Sequence, residues 1–187
     1  MRPVATVLYE DKMQVGGRGA FPPHDFLLAM VADHTGLRVF DLARLVEKNP
    51  RKGVGNVIAD VARTGRIAGA GMLCILVDRD RVAEHLRLPT NASEAAIIAA
   101  LNDLSDAPDK LSVHFLDPNM EGLLLAIEAC APKERAPTIK DHNARDLFLK
   151  RAAYTLASSV RDCVRGKQPS LGALAALLAG LCPGGGV

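Results

Sequence analysis

A chain of 187 residues with 49% apolar and 24% charged residues is long enough to bury a full core. This composition excludes a disordered, collagen-like or low-complexity protein. The longest apolar tract, 171–182, falls short of the roughly 20 residues that span a bilayer, so no membrane attachment is expected. Net charge is only +2 but unevenly spread: residues 1–132 hold 14 Lys/Arg against 17 Asp/Glu, and residues 133–167 hold 9 against 4. That split predicts an α/β domain over 1–132 and a basic helical extension over 133–187 packed on it, suited to an anionic partner.

Val4 to Tyr9 is the first predicted strand, and it runs into Glu10. Asp11 to Pro23 reads as a loop, broken by Gly16-Gly17-Arg18-Gly19 and Pro22-Pro23. A helix is predicted from His24 to Asp33, with Phe26, Leu27, Met30 and Val31 on one face and Gly36 closing it. Residues 37–46 fit a short strand near Arg38–Phe40 or a turn, then a helix. Asn49 to Gly55 reads as a break, and a helix from Asn56 to Thr64 follows.

Met72 to Val77 is an unbroken apolar run after Gly69-Ala70-Gly71, the pattern of a central strand buried on both faces. It ends in Asp78-Arg79-Asp80. One or two helical turns over Val82–Leu86 come next, then a helix over Glu94–Leu104 with Ser93 or Asn91 as its cap. Residues 111–116 form another strand, and a helix runs from Asn119 through Cys130. Residues 131–140 read as a connector, Asp141 to Arg165 as one long helix, and 171–181 as a last Ala/Leu helix. The alternation predicts an α/β fold with a mostly parallel central sheet flanked by helices.

The four cysteines show no C-x-x-C pair, so no disulfide framework is expected. A reducing, cytoplasmic location is the simpler assumption. No signal-peptide pattern precedes the first strand.

Three predicted strands end in acid: Glu10, then Asp78 with Asp80, then the cluster Asp117, Asn119 and Glu121. Open α/β sheets hold their chemistry beyond the carboxyl ends of the strands. Carboxylates crowded there repel one another unless a cation lies between them. Mg²⁺, or Mn²⁺, suits such a set, because it takes oxygen ligands and shares them with phosphate. In extended chain Asp78 and Asp80 would point to the same side.

These blocks, in this order and spacing, resemble the Toprim domain of topoisomerases, primases and OLD-type nucleases. The likeness is closest to the small stand-alone RloB-like branch. It rests on Val7-Leu8-Tyr9-Glu10, on Leu76-Val77-Asp78-Arg79-Asp80, and on Leu116 to Leu125 with its Pro118 turn and Glu121 opening a Leu-rich helix. Asp11-Lys12 follows the first Glu where Toprim proteins commonly have Gly. The resemblance covers residues 4–130 and implies a Toprim-like fold and Mg²⁺-dependent phosphodiester chemistry, that of a nuclease or nuclease subunit. It implies Glu10 as general acid/base or metal ligand, Asp78 and Asp80 as catalytic metal ligands, and Glu121 as a further ligand or an orienting group. By analogy with OLD-type relatives it also implies an ATPase partner chain.

Nucleic acid is the expected substrate. Lys12, Arg51 and Lys52 are candidate phosphate contacts, and Arg151, Tyr154, Ser158, Arg161 and Arg165 would form a basic stripe on one helix face. The C-terminal Ala/Leu helix suggests a second copy of the chain as partner. Two alternatives stand beside the nuclease. One is a Toprim-fold module that binds nucleic acid or protein without turnover. The other is a haloacid-dehalogenase-like phosphatase with Asp78 as nucleophile, although that strand normally opens the chain.

Overall fold

The computed structural model describes residues 3–11, 21–89, 91–117, 119–138 and 140–183. Lys12, the glycines of the 16–19 loop and Pro118 lie outside the described residues. In chain order the elements are β1 (Ala5–Asp11), α1 (Pro22–Thr35), α2 (Val39–Leu45), β2 (Val46–Lys52), α3 (Val54–Val61), α4 (Thr64–Ala68), β3 (Met72–Asp78), α5 (Arg79–His85), α6 (Glu94–Leu104), β4 (Leu111–Leu116), α7 (Met120–Cys130), α8 (His142–Thr155), α9 (Ser158–Lys167) and α10 (Pro169–Leu181).

The four described strands form one parallel sheet in the order β2-β1-β3-β4. This is the α/β architecture the alternation predicts and the layout the Toprim resemblance implies. Strand periodicity divides the core in two. Val7, Tyr9, Cys74 and Leu76 face α1, α2, α7, α8 and α10. Leu8, Leu73, Ile75 and Val77 face α3, α5 and α6. The chain therefore leaves β1 to one side for β2 and returns past it to β3, with the connecting helices on opposite faces. The strand order reverses between β1 and β3, and such a switch point opens a crevice at the carboxyl ends of the two strands.

Four expectations change. Residues 46–52, read partly as a break, form edge strand β2, because proline is tolerated where only one side of the strand is paired; Pro50 sits opposite Tyr9. The short strand expected near Arg38–Phe40 is instead the start of α2.

The single helix expected over 141–165 is two, because Leu156 and Ala157 are extended. No Gly or Pro marks that break. Its cause is tertiary: the Arg161 guanidinium donates to the Leu156 carbonyl and holds Asp33 of α1 through two bonds of 2.6 Å.

Finally, Cys130 of α7 and Cys163 of α9 form a disulfide, with Cα atoms 5.8 Å apart. Their separation of 33 residues hid the pairing, and with it goes the ground for expecting a reducing compartment. Cys74 and Cys182 are free and buried, and burial pushes the Cys74 thiol up to about 12.

The last helix also has a use the sequence did not show. Its Leu171, Leu174, Ala175 and Leu178 are buried in this chain's own core, so that face is not offered to a second copy. The start of α10 closes the open edge of β4. Ser170 Oγ accepts from the Phe115 N–H at 3.0 Å, while the Gln168 side chain accepts from the Asp117 N–H and donates to its carbonyl. Among the described residues no helix is long and apolar enough to cross a membrane.

Candidate functional site

At the switch point lies a cleft of about 380 Å³. Its lining includes the acids Glu10, Asp78 and Glu121 and the basic residues Arg81, Lys140, His142 and Arg145. Tyr9, Phe21, Leu116 and Met120 make up part of the apolar remainder. Register brings the first two acids to one rim of the sheet, Glu10 continuing the face of Leu8 and Asp78 the face of Leu76. Tyr9 is the last residue of β1 paired to β3, opposite Leu76, so Glu10 and Asp78 lie one and two residues beyond that pair on adjacent strands. Glu121 arrives from the start of α7, where Asn119 Oδ1 accepts from the Glu121 and Gly122 N–H groups at 2.9 and 3.2 Å.

Glu10 is the unusual residue. Its side chain is 7% exposed, and Arg81 Nε lies 3.2 Å from Oε1. Yet among the described residues neither carboxylate oxygen receives a hydrogen bond, because the Arg81 N–H is near without being aimed. A buried carboxylate with close charge but no hydrogen bonds is poorly stabilised.

The neighbouring Tyr9 is the opposite case. His24 Nε2–H donates to the Val46 carbonyl at 3.2 Å, which leaves Nδ1 to accept the Tyr9 hydroxyl at 2.8 Å. Burial lowers the His24 pKa to about 3 and raises that of Tyr9, so both stay neutral and lock the cleft floor to α1 and β2.

Not every expected residue reaches the cleft. β3 ends at Asp78 and α5 begins at Arg79, so Asp80 lies in the first helical turn rather than on extended chain. Its side chain is 71% exposed beside Arg79, and it does not line the cleft. The set Glu10, Asp78, Asp80 and Glu121 is therefore not assembled. Among the described residues no three His, Cys, Asp or Glu side chains converge closely enough to hold a metal ion. What remains fits a hard cation that takes one or two protein carboxylates and completes its shell with water and phosphate oxygens.

The basic stripe is likewise divided. Arg151 pairs with Glu134, Arg161 with Asp33, and Arg165 with Asp33, Asp162 and His34. Arg161 and Arg165 tie α9 to α1, and Arg151 ties α8 to the connector before it. Arg51 pairs with Asp60, and with exposed Lys52 it lines a separate hollow beside the end of β2.

Sequence reasoning missed Arg81, Lys140, His142 and Arg145. Arg81 follows the Asp78/Asp80 block directly, and the other three sit where the connector meets the basic extension. That local basic density was the only signal.

No family model, no curated protein and no solved structure matches this chain.

Proposed function

We propose that the cleft carries out Mg²⁺-dependent phosphodiester chemistry on nucleic acid, as a Toprim-type nuclease or nuclease subunit would. One observation carries this reading: the Glu10 carboxylate is buried at the switch-point crevice that Asp78 also lines, and among the described residues it has no hydrogen-bond partner. Such a group calls for a cation. Glu10 and Asp78 would hold the ion, with Glu121 at the mouth orienting its water ligands. When bound, the ion would supply charge stabilisation on the phosphoryl oxygens and help to activate water.

Glu10 also stands where a carboxylate could move a proton at the scissile group. Arg81 balances its charge in the meantime. Were the carboxylate to hold a cation, Arg81 would be left to offer its guanidinium to a phosphate, the anion it binds best.

The Glu10–Arg81 pair also supports a second reading. A carboxylate satisfied by Arg81 alone would make this a binding module without turnover, and the two readings differ in metal dependence. Calorimetric titration of Mg²⁺ into wild type, Glu10→Gln and Asp78→Asn, with cleavage of single-stranded DNA and RNA oligonucleotides, separates them. The enzyme reading expects both variants to lose Mg²⁺ binding and to cut at least about a hundredfold more slowly. Oligonucleotide binding without Mg²⁺ uptake or cleavage in wild type would leave the module.

A further inference from the structure

Three of the cleft's basic residues, Lys140, His142 and Arg145, belong to the helical extension, and the first two are not used up in holding it together. His142 opens α8, and its Nδ1 is buried with no hydrogen-bond partner among the described residues. Lys140, two residues earlier, is exposed and lines the same cleft. Arg145 is committed to Asp146 through bonds of 2.9 and 2.8 Å and serves as scaffold. A buried imidazole nitrogen without a partner has one hydrogen bond left to make, and in the tautomer that carries its proton on Nδ1 it would donate to an anion.

The other candidate phosphate contacts cannot form a long track. Arg151, Arg161, Arg165 and Arg51 are all engaged with carboxylates of this chain. The volume of about 380 Å³ is at the lower end of the roughly 300–1,000 Å³ typical of small-ligand sites. That is room for one nucleotide and not for a duplex. Met120 and Leu116 offer an apolar surface for its base or sugar.

From these observations we infer that His142 and Lys140 bind the phosphate of a single nucleotide unit, a free nucleotide or the frayed end of a strand, beside Glu10 and Asp78. The inference deepens the phosphodiester reading by naming its substrate class, and rests on that reading for the chemistry but not for the binding. The extension then supplies the anion-holding half of the site, and the sheet supplies the cation-holding half.

The test titrates adenosine 5′-monophosphate, and adenosine as the phosphate-free control, into ¹⁵N-labelled protein in EDTA. Wild type, His142→Ala, Lys140→Ala and Glu10→Gln are compared. The inference expects the nucleotide to shift amide signals of residues 140–145 and around Asp78, and adenosine to bind at least about tenfold more weakly. His142→Ala and Lys140→Ala each weaken nucleotide binding about tenfold, while Mg²⁺ affinity measured separately by calorimetry changes less than about twofold. Glu10→Gln keeps nucleotide binding, because removing a carboxylate does not harm an anion site. Lys140 is exposed, so its variant stays informative should His142→Ala fold poorly. Unchanged nucleotide affinity in Lys140→Ala, or signals shifting only around Arg51 and Lys52, would overturn the inference. Loss of Mg²⁺ uptake in wild type, with nucleotide binding still dependent on Lys140, would sink the metal chemistry and leave this site standing.

Discussion

Two buried charges in this chain behave oppositely. On the helical side, Arg161 and Asp33 are 12% and 11% exposed and share two bonds of 2.6 Å, and the same guanidinium satisfies the Leu156 carbonyl. At the sheet rim, Glu10 is 7% exposed and lies 3.2 Å from Arg81, yet among the described residues neither oxygen accepts a hydrogen bond. Burial and an opposite charge are common to both; directed hydrogen bonding is not. A buried charge with every bond made holds the fold together. One with its bonds unmade depends on something else to complete it, and that marks a site.

The comparison breaks first on the helical side. Arg161→Ala leaves Asp33 buried without its guanidinium and should destabilise the protein by about 3–5 kcal/mol in urea unfolding. A loss under 1 kcal/mol, of the size about that of a surface pair, would mean the latch is decorative. A second effect, spread over several pH units, sharpens the contrast between Tyr9 and Glu10. His24 has a pKa of about 3 when folded and 6.5 as its reference, so the unfolded chain takes up the proton first as pH falls. Stability is unaffected above 6.5 and falls by about 1.4 kcal/mol per pH unit between those values. Burial lowers His114 as well, which adds in the same direction. His24→Gln should remove its share of that slope, and an unchanged slope would show that His24 is not held neutral. The smallest effect belongs to Arg151, whose pair with Glu134 is half exposed: Arg151→Ala should change stability by no more than about 1 kcal/mol.

How much of this was legible in the sequence follows from the range of each signal. Apolar periodicity is local, and it marked β1, β3, β4 and most helices, down to the Ser93 cap of α6, whose Oγ accepts from the Ala96 N–H. The acid-ended strands put Glu10 and Asp78 at one rim of the sheet, as observed, because strand ends are local too. Distant partners were invisible. Nothing near Arg161 announces Asp33, nothing near Cys130 announces Cys163, and nothing near Ser170 announces the edge of β4. Asp80 was misjudged by the reverse error. Asp-x-Asp was read as extended through its whole length, but the helix takes over at Arg79 and turns the second carboxylate away. His142 and Lys140 carry no local signal of a role, because their meaning depends on which residues share their cleft.

The most direct test of the claim that Glu10 awaits a cation is thermal unfolding of wild type and Glu10→Gln, each with and without Mg²⁺. Without metal, Glu10→Gln should melt at or above the wild-type temperature, since it removes a buried charge whose bonds are unmade and leaves a partly exposed Arg81. Mg²⁺ should raise the wild-type midpoint, by about 2.7 kcal/mol of stability at a hundred times its dissociation constant, and leave the variant unmoved. A variant that is several kcal/mol less stable and a wild type indifferent to Mg²⁺ would make Glu10–Arg81 an ordinary structural ion pair and contradict the account.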